Sequence, residues 1–455
     1  MPSYNMTVDT LPLETLGDIF HECVRDSHRE WQSVTVPIKI SSVCRRWRNV
    51  SLSLGVLWTY LDCYLPVWGR DNWIEIFSTW LHRSNRAPLN YSVTCDFKYH
   101  HSESFIGERI VLMLIDHQWH WGDVYFYWRF YMSPSFPGIR LTNMPMLTSL
   151  RLYVQLWKGC VGNGDGNINL EQSSKLEYLH LDGQFHLGIG DRSMYLSARS
   201  VDLDSGAASP SNVAPSMCLK FLEVAPNLNQ LRINIHGTHK QTNDEDHALI
   251  SHNLKRFALS GTRSHLVIDK LVLPALTGLL YRDFASRNGG EILSAFIQRS
   301  LPPLTYLELD GNCADEATIT FILPLLPLLQ AIFLKHCTVS ARLFQLLSVP
   351  SGTDKGHRAL ATSNRIMCPN LSYFSFDDYY IVGEERECVS VLCTMLKSRW
   401  NALKMWNYLI DESWPQYFST ADCKRMWSHI SDRKKFYVAG PTTQTGNIQF
   451  MYEDW

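Results

Sequence analysis

Apolar residues recur at helical spacing close to the N-terminus. The segment LPLETLGDIFHECV, residues 11–24, has an apolar stripe formed by Leu13, Leu16, Ile19, Phe20 and Cys23. Spacings of three and four residues predict an amphipathic helix that buries this stripe. Pro12 falls in the first turn of that helix, where its missing N–H costs no hydrogen bond.

A second segment, KISSVCRRWRNV at residues 39–50, combines three arginines with a tryptophan. On a single helix its apolar stripe consists of Ile40, Val43, Trp47 and Val50. The arginines then lie on the flank or the opposite side and keep the helix solvated. A nucleic-acid surface is not expected, because the chain has a net charge of −2 and no further basic cluster follows.

These two helices and the following Leu57-Trp58 make a unit of about fifty residues, which is too small to bury a robust core alone. Burial of one bulky apolar side chain is worth about 1.5–3 kcal/mol. The unit displays more such groups than it can enclose, namely Leu11, Ile19, Phe20, Val43 and Trp47. The sequence therefore predicts that either the rest of the chain or a partner covers them.

From residue 121 onward a short phrase recurs, in which an apolar residue is followed by two variable ones, an apolar one, a variable one and an apolar one. The copies are WGDVYF at 121, LTSLRL at 147, LEYLHL at 176, ARSVDL at 198, LNQLRI at 228, LKRFAL at 254, LTGLLY at 276, LTYLEL at 304, LQAIFL at 329 and LSYFSF at 371. Apart from the last, their starting positions are separated by 22 to 30 residues. This period is the length of a leucine-rich repeat.

Six of the ten phrases have a proline two residues before their first apolar position: Pro145, Pro226, Pro274, Pro302, Pro327 and Pro369. Proline cannot continue a helix and pushes its predecessor toward extended geometry. It therefore suits the end of one helix just before the next strand, and residues 216–226, 290–302 and 314–327 are the helical candidates. Alternating helices and strands predict a solenoid with a parallel sheet. Residues 87–97 are a further predicted strand.

Several motifs resemble a known family. The order Leu11-Pro12, Glu14, Ile19-Phe20, then VCRRW at 43–47, then Leu57-Trp58 resembles the F-box, in the variant common in large fungal F-box families. The repeats resemble the degenerate leucine-rich domain that follows the F-box in the same families. The segment between the two helices, RDSHREWQSVTV, is longer than is typical of the family.

The resemblance implies an α+β multidomain protein, in which a small all-α F-box-like module at 9–60 precedes an α/β leucine-rich-repeat-like solenoid at 119–385. Residues 61–118 would be an irregular linker with opening repeats, and residues 386–455 a closing cap. F-box families dock onto a Skp-type adaptor, which links them to a cullin-based ubiquitin ligase. The implied adaptor-binding residues are Leu11, Pro12, Ile19, Phe20, Val43, Cys44 and Trp47. The alternative is that they only pack one helix on the other.

The variable positions of the phrases predict a target-binding face. Side chains alternate between the two faces of a strand, so these positions face the concave side when the apolar ones point inward. The candidates for target binding are Tyr125, Arg151, Tyr178, Arg232, Arg256, Arg282, Tyr306, Asp310 and Tyr373. The same face includes Asp123, Tyr127, Ser149, Tyr153, His180, Asp182, Asp202, Asp204, Gln230, Glu308, Phe333, Lys335 and Asp377.

Arg232, Arg256 and Arg282 belong to three successive repeats and, at a strand separation of about 4.8 Å, predict a ladder. Guanidinium groups bind carboxylate and phosphate in bidentate fashion, so one hypothesis is that the ladder receives an acidic or phosphorylated target segment. The competing hypothesis is that Asp204 and Glu308 from adjacent repeats pair with these arginines.

The sequence favours a binding protein over an enzyme. It has no Gly-x-Ser-x-Gly elbow, no phosphate loop and no cluster with metal-ligand spacing, so no catalytic residue, cofactor or metal is expected. The glycine-rich segment at 161–170 is predicted to be a turn. His100 and His101 are interpreted as loop residues, and His117 and His120 as residues of an amphipathic surface.

Twelve scattered cysteines without a framework predict buried free thiols in a reducing compartment. The N-terminal segment lacks a secretory signal, and the most apolar stretch, residues 321–334, is too short to span a bilayer. We therefore expect a cytoplasmic or nuclear protein without a membrane partner. It would be either a ligase substrate receptor or a leucine-rich scaffold that recruits no ligase.

Overall fold

The structure, a computed structural model, describes residues 11–27, 35–65, 72–96, 104–130, 138–156, 166–183, 185–189, 196–203, 213–235, 249–251, 253–349, 366–377, 380–399 and 405–408. It combines helices with a large amount of parallel sheet. The chain divides into two compact units, Met1–Lys240 and Gln241–Trp455. Within the described ranges, no helix has both the length and the apolarity needed to cross a membrane.

The first unit begins with helices and continues with alternating strands and connections. Its helices are α1 (Leu13–Ser27), α2 (Thr35–Val43), α3 (Arg45–Ser53), α4 (Asn72–Ser84), α5 (Ser104–Asp116) and α6 (Pro215–Val224). Its strands are β1 (Tyr60–Leu65), β2 (Leu89–Asp96), β3 (Trp121–Phe130), β4 (Arg140–Leu141), β5 (Ser149–Leu156), β6 (Gly166–Asn169), β7 (Tyr178–Asp182), β8 (Phe185–Gly188), β9 (Ser200–Leu203) and β10 (Gln230–Ile235).

The main sheet of the first unit has the strand order β1-β2-β3-β5-β7-β9-β10, and every neighbouring pair is parallel. Strands β4, β6 and β8 form a separate small sheet. Burial alternates strictly along β2, so one face of the main sheet belongs to the core and the other is half exposed. Two tryptophans tie the helices to this core: Trp80 of α4 donates its indole N–H to the Tyr60 carbonyl (3.0 Å), and Trp121 donates to the Leu114 carbonyl (3.1 Å).

Helix α1 buries a different line of residues from the predicted stripe. Leu16, Phe20 and Val24, which are four residues apart, are each 1% exposed. Leu13 and Ile19 are exposed, and so is Cys23. A straight i, i+4, i+8 line suffices for packing on α2 and α3, so the flanking apolar residues remain at the surface.

The predicted single helix over 39–50 is wrong, because the chain breaks at Cys44. This residue is extended (φ −154, ψ 171), and its Sγ accepts a hydrogen bond from the Trp47 N–H at 3.4 Å, which caps α3. Ile40 and Val50 are buried as predicted, but the change of direction turns Val43 out of the stripe.

The second unit repeats the same plan. Its strands are β11 (Leu249–Ile250), β12 (Arg256–Gly261), β13 (Leu271–Val272), β14 (Gly278–Asp283), β15 (Tyr306–Gly311), β16 (Ala331–Lys335), β17 (Thr338–Val339), β18 (Tyr373–Asp377), β19 (Tyr380–Ile381) and β20 (Met405–Tyr408). Its helices are α7 (Ser264–Ile268), α8 (Gly289–Ser300), α9 (Glu316–Ile322), α10 (Ala341–Leu347) and α11 (Glu385–Arg399). The main strand order is β12-β14-β15-β16-β18-β20, and each pair is parallel.

All ten apolar phrases coincide with strands of the main sheets, and the strand predicted at 87–97 is β2, so these predictions are confirmed. The helices predicted at 216–226 and 290–302 are also confirmed as α6 and α8. The third candidate, 314–327, is α9 followed by a 3₁₀ turn at Leu323–Leu325, in which Pro324 occupies the first turn.

The prolines before the phrases have a more specific position than the sequence predicts. Five of them occupy the second position of a four-residue turn: Pro145, Pro226, Pro274, Pro327 and Pro369. In each turn the carbonyl of the first residue accepts a hydrogen bond from the N–H of the fourth, at 3.0–3.3 Å. Proline suits this second turn position because its φ is already fixed there. The fourth turn residue is the first leucine of the phrase and is buried, so the turn sets the register in which each strand enters the core.

Two local predictions are wrong. Residues 166–169 of the predicted turn at 161–170 form β6, because Ile168 is buried in the small sheet of β4, β6 and β8. His120, expected at the surface, is fully buried beneath Trp119. His100, His101 and most of the predicted closing cap at 386–455 lie outside the described residues.

Candidate protein-binding surfaces

Exposed apolar side chains concentrate in helices α1–α3 and the turn after them. Six of the seventeen large apolar residues that are exposed in the described part of the chain lie between residues 13 and 56. We call this set the N-terminal apolar surface; its members are Leu13 (56% exposed), Ile19 (41%), Ile38 (49%), Val43 (60%), Leu52 (40%) and Val56 (40%).

The core beneath this surface is small and aromatic. Phe20 is 1% exposed and packs on Trp47, with ring centroids 4.9 Å apart. Arg46 donates from its guanidinium to the Leu11 carbonyl and so holds the start of α1 against α3. The fully buried Trp58 donates its indole N–H to the Ser51 carbonyl at 2.8 Å and packs edge-on against Trp80 at 4.7 Å. The three helices are therefore fixed to the sheet at one end.

The predicted adaptor-binding residues differ in their exposure to solvent. Pro12, Ile19 and Val43 are exposed; Leu11, Cys44 and Trp47 are half-buried; Phe20 is buried. Ile38, Leu52 and Val56 are further exposed apolar residues that the sequence pattern did not indicate, since they lie outside the helix predicted at 39–50. The exposed Lys39, Arg45 and Arg48 give α2 and α3 a basic rim, whereas α1 has the exposed acidic residues Glu14, Asp18 and Glu22.

A second candidate surface is the open face of the main sheet in the first unit. The strand register places Tyr125, Arg151, His180, Asp202 and Arg232 opposite one another on β3, β5, β7, β9 and β10. The neighbouring row contains Tyr127, Tyr153 and Asp182. The structure thus brings together Tyr125, Arg151 and Arg232 of the predicted target-binding residues, while Tyr178 lies two positions back along β7.

Three tyrosines form a contiguous cluster on this face. The ring centroid of Tyr153 lies 5.5 Å from that of Tyr125, 6.2 Å from that of Tyr127 and 4.4 Å from that of His180. All three phenols are half-buried. Burial raises the pKa of Tyr125 and of Tyr153 above 10, and Asp202 and Asp182 add to the effect at Tyr153, so both phenols are neutral at physiological pH.

The arginines of this face have carboxylate neighbours. Arg151 lies 3.5 Å from Asp123, and Arg232 lies 4.0 Å from Asp202. His180 approaches the same Asp202 carboxylate at 3.1 Å through Nδ1. None of these side chains provides an uncompensated cationic site for a phosphate.

In the second unit the predicted charged positions form a buried network around Glu308, which is 2% exposed. Glu308 accepts from Arg282 at 3.1 Å, from Lys335 at 3.3 Å and from the Tyr306 hydroxyl at 2.8 Å. Burial alone would raise the pKa of Glu308, but Lys335, Tyr306 and Arg282 together outweigh it and hold the pKa below its ordinary value. Asp310 is also buried and contacts Arg282 at 3.5 Å and His336 at 2.8 Å.

The predicted arginine ladder is not formed in the second unit. Arg256 lies in register with Gly278, whereas Arg282 lies in register with Asp310. Four residues along a strand separate the two register positions, which corresponds to about 13 Å. The competing hypothesis, that acidic residues of adjacent repeats engage these arginines, holds for Arg282 through Glu308; Asp204 lies outside the described residues.

The two histidines before β3, His117 and His120, lie close to each other, with ring centroids 5.5 Å apart. Burial, and then the neighbouring His117, lower the pKa of His120 to about 4. Among the described residues, no three His, Cys, Asp or Glu side chains are close enough together to hold a metal ion.

Tyr373, the last predicted target-binding residue, is half-buried on β18.

A comparison with protein-family models and a search of curated proteins both found no match to this chain.

Proposed function

We propose that this protein is the non-catalytic substrate-recognition subunit of a Skp–cullin–F-box ubiquitin ligase in the cytoplasm or nucleus. The N-terminal module docks a Skp-type adaptor, and the sheet faces of a leucine-rich solenoid hold a target protein near the transferring enzyme. The chain then acts by proximity and requires no cofactor.

The observation that carries the proposal is the N-terminal apolar surface. An exposed Leu, Ile or Val is common when it stands alone, but a concentration of them within one small module is typical of a protein–protein interface. The basic rim on α2 and α3 fits a partner that surrounds an apolar patch with acidic residues.

The parallel sheets support the second half of the proposal. Parallel sheets are usually covered on both faces, whereas repeat solenoids leave one face of the sheet open. The half-exposed face of the first unit, the 22- to 30-residue period of the phrases and the proline turns before the strands are consistent with a leucine-rich solenoid.

A leucine-rich scaffold without ligase recruitment is the second candidate. The observation that favours it is the fixed position of the helical module: Trp58 packs against Trp80, and a Cβ on Gly55 would meet the Ser84 carbonyl oxygen at 2.7 Å. On this view the module is the first layer of the array, and its surface residues serve only for packing.

Co-purification with a recombinant Skp-type adaptor separates the two candidates. Ile19→Glu and Val43→Asp change exposed side chains, so the chain keeps its fold while the docking surface acquires charges. We expect both variants to lose the adaptor. Leu328→Asp, at an equally exposed leucine of the second unit (47% exposed), is the matched control and retains it. Equal retention by all three variants would favour the scaffold.

A further inference from the structure

The open sheet face of the first unit has an excess of negative charge. At the non-core positions of the main-sheet strands β1, β2, β3, β5, β7, β9 and β10, five aspartates oppose three arginines, a formal difference of −2 with histidine neutral. The aspartates are Asp62, Asp96, Asp123, Asp182 and Asp202, and the arginines are Arg129, Arg151 and Arg232.

The tyrosine cluster lies on this face, on β3 and β5, with Asp182 on the neighbouring strand β7. In strand register Tyr153 is flanked by Tyr127 on one side and by Asp182 on the other. Neighbouring strands are about 4.8 Å apart, so a group seated on the Tyr153 ring is within reach of the Asp182 carboxylate. Asp202, one register row away, also acts on Tyr153, since its charge contributes to the raised pKa of that phenol.

We propose that this tyrosine face, defined by Tyr125, Tyr127, Tyr153, Asp182 and Asp202, binds a target-protein segment through an arginine or lysine side chain. Neutral aromatic rings attract a cation through their quadrupoles, and the Asp182 carboxylate accepts its hydrogen bonds. Asp202, which already contacts His180 and Arg232, adds Coulomb attraction. Because the phenols are half-buried and partly held by one another, little side-chain freedom is lost on binding.

The second unit provides the contrast. There the cationic groups Arg282 and Lys335 are engaged by the buried carboxylate of Glu308, and Arg256 is displaced from Arg282 along the sheet. A phosphorylated or acidic segment therefore finds no cluster of cations among these side chains. The charge pattern favours a basic segment over the acidic one that the arginine positions suggested from sequence.

This inference names the target class of the proposed function, but its binding step is independent of the adaptor. The probe is a random dodecapeptide display library, panned against the immobilised full-length chain. We expect the enriched peptides to share an arginine or a lysine. Replacing that residue by glutamine in a synthetic peptide should weaken binding about ten-fold in fluorescence anisotropy.

Variants of the face make the test specific. Tyr153→Leu and Asp182→Asn should each weaken binding of the selected peptide about ten-fold, whereas Tyr153→Phe, which keeps the ring, should retain it. Tyr380→Leu on β19 and Asp116→Asn on α5 change exposed residues that are not members of the face. They are the matched controls and should bind like the unaltered chain.

Three outcomes would overturn the inference: enrichment of acidic or phosphoserine peptides, unchanged binding by Tyr153→Leu and Asp182→Asn, or self-association through this face in sedimentation experiments. The same variants should retain the Skp-type adaptor. A chain that binds basic peptides but no adaptor would refute the ligase proposal alone, and the reverse result would refute this inference alone.

Discussion

The rings of Phe20 and Trp47 pack on one another at a centroid distance of 4.9 Å and an interplanar angle of 58°. Phe20 is buried, whereas Trp47 is half-buried, so the pair joins the core of the helical module to its surface. Loss of Trp47 therefore affects both the stability of the module and any partner that binds there. Exposed neighbours such as Val43 affect only the second property.

The stability of the helical module should distinguish these two classes of residue. Phe20→Ala leaves a cavity beneath α1 and should lower the free energy of unfolding by about 3–4 kcal/mol. Trp47→Ala should cost about 2 kcal/mol, since only part of that side chain is enclosed. Urea denaturation followed by tryptophan fluorescence measures both values.

Val43→Ala is the control for this series. The Val43 side chain is 60% exposed, so its truncation should change the free energy of unfolding by less than about 0.5 kcal/mol. A large loss of stability in Val43→Ala would mean that another part of the protein covers this surface. Deletion of the first sixty residues is a poor substitute, since it removes Leu57 and Trp58, which are fully buried in the first unit.

The strands were predictable because their signals are local. The apolar positions of each phrase identify residues that are buried in the core. The proline two residues before the phrase belongs to a turn that ends at the buried first leucine, as Pro145 does for Leu147. The break at Cys44 was not predictable in this way. Cysteine is an unusual helix cap, and the apolar spacing from Ile40 to Val50 fits one helix as well as two.

A backbone prediction concerns Gly311, which has φ +85 at the end of β15. A Cβ at this position would meet the Asp283 carbonyl oxygen at 2.6 Å, so Gly311→Ala adds a steric clash to the cost of the left-handed backbone. We expect a loss of about 3 kcal/mol in thermal or urea unfolding.

Gly383 supplies the matched control, since it has φ +100 and no neighbouring atom of the described chain within 4 Å of an added Cβ. Gly383→Ala should therefore cost only about 1 kcal/mol. Equal losses in the two variants would show that the backbone conformation, and not the close approach of Asp283, determines the cost.

The cysteines provide a test that needs no variant. Seven of the nine described free cysteines are buried, as the sequence predicted, but Cys23 is exposed and Cys44 is half-buried. Burial raises the pKa of Cys63, Cys95 and Cys218, which makes the thiolate scarce as well as inaccessible. Brief iodoacetamide treatment of the native protein, followed by peptide mass spectrometry, should modify Cys23 far ahead of these three; similar rates would contradict the packing described.

The composition of the predicted target-binding face and much of its arrangement follow from the phrases. Alternation along each strand identified Tyr125 and Arg151 as non-core positions, and the register pairs equal positions of neighbouring phrases, as it does for Arg256 and Gly278. The arginine ladder failed because Arg256 is the third residue of its phrase, whereas Arg282 follows the sixth and last residue of its own. Alternation did not indicate the burial of Glu308, which depends on its contacts with Arg282 and Lys335.

The carboxylate of Glu308 should make the second unit sensitive to acid. Its folded-state pKa lies below the ordinary value of 4.5, so its ionic contacts stabilise the fold fully above pH 4.5 and are lost as the pH falls through the folded pKa. Glu308→Gln removes the buried carboxylate that Arg282 and Lys335 share at every pH and should cost about 3 kcal/mol at pH 7.

Below pH 4.5 the difference in the free energy of unfolding between Glu308→Gln and the unaltered chain should shrink, because protonation makes the native side chain neutral as well. Glu291→Gln, at an exposed position on α8, controls for the loss of one carboxylate and should change neither the stability at neutral pH nor its pH profile by more than about 0.5 kcal/mol. Urea titrations at pH 7 and in steps below pH 4.5 measure these profiles. A constant difference across that range would mean that the Glu308 carboxylate is not the group that titrates, and the stabilising role assigned to its contacts with Lys335 and Arg282 would be wrong.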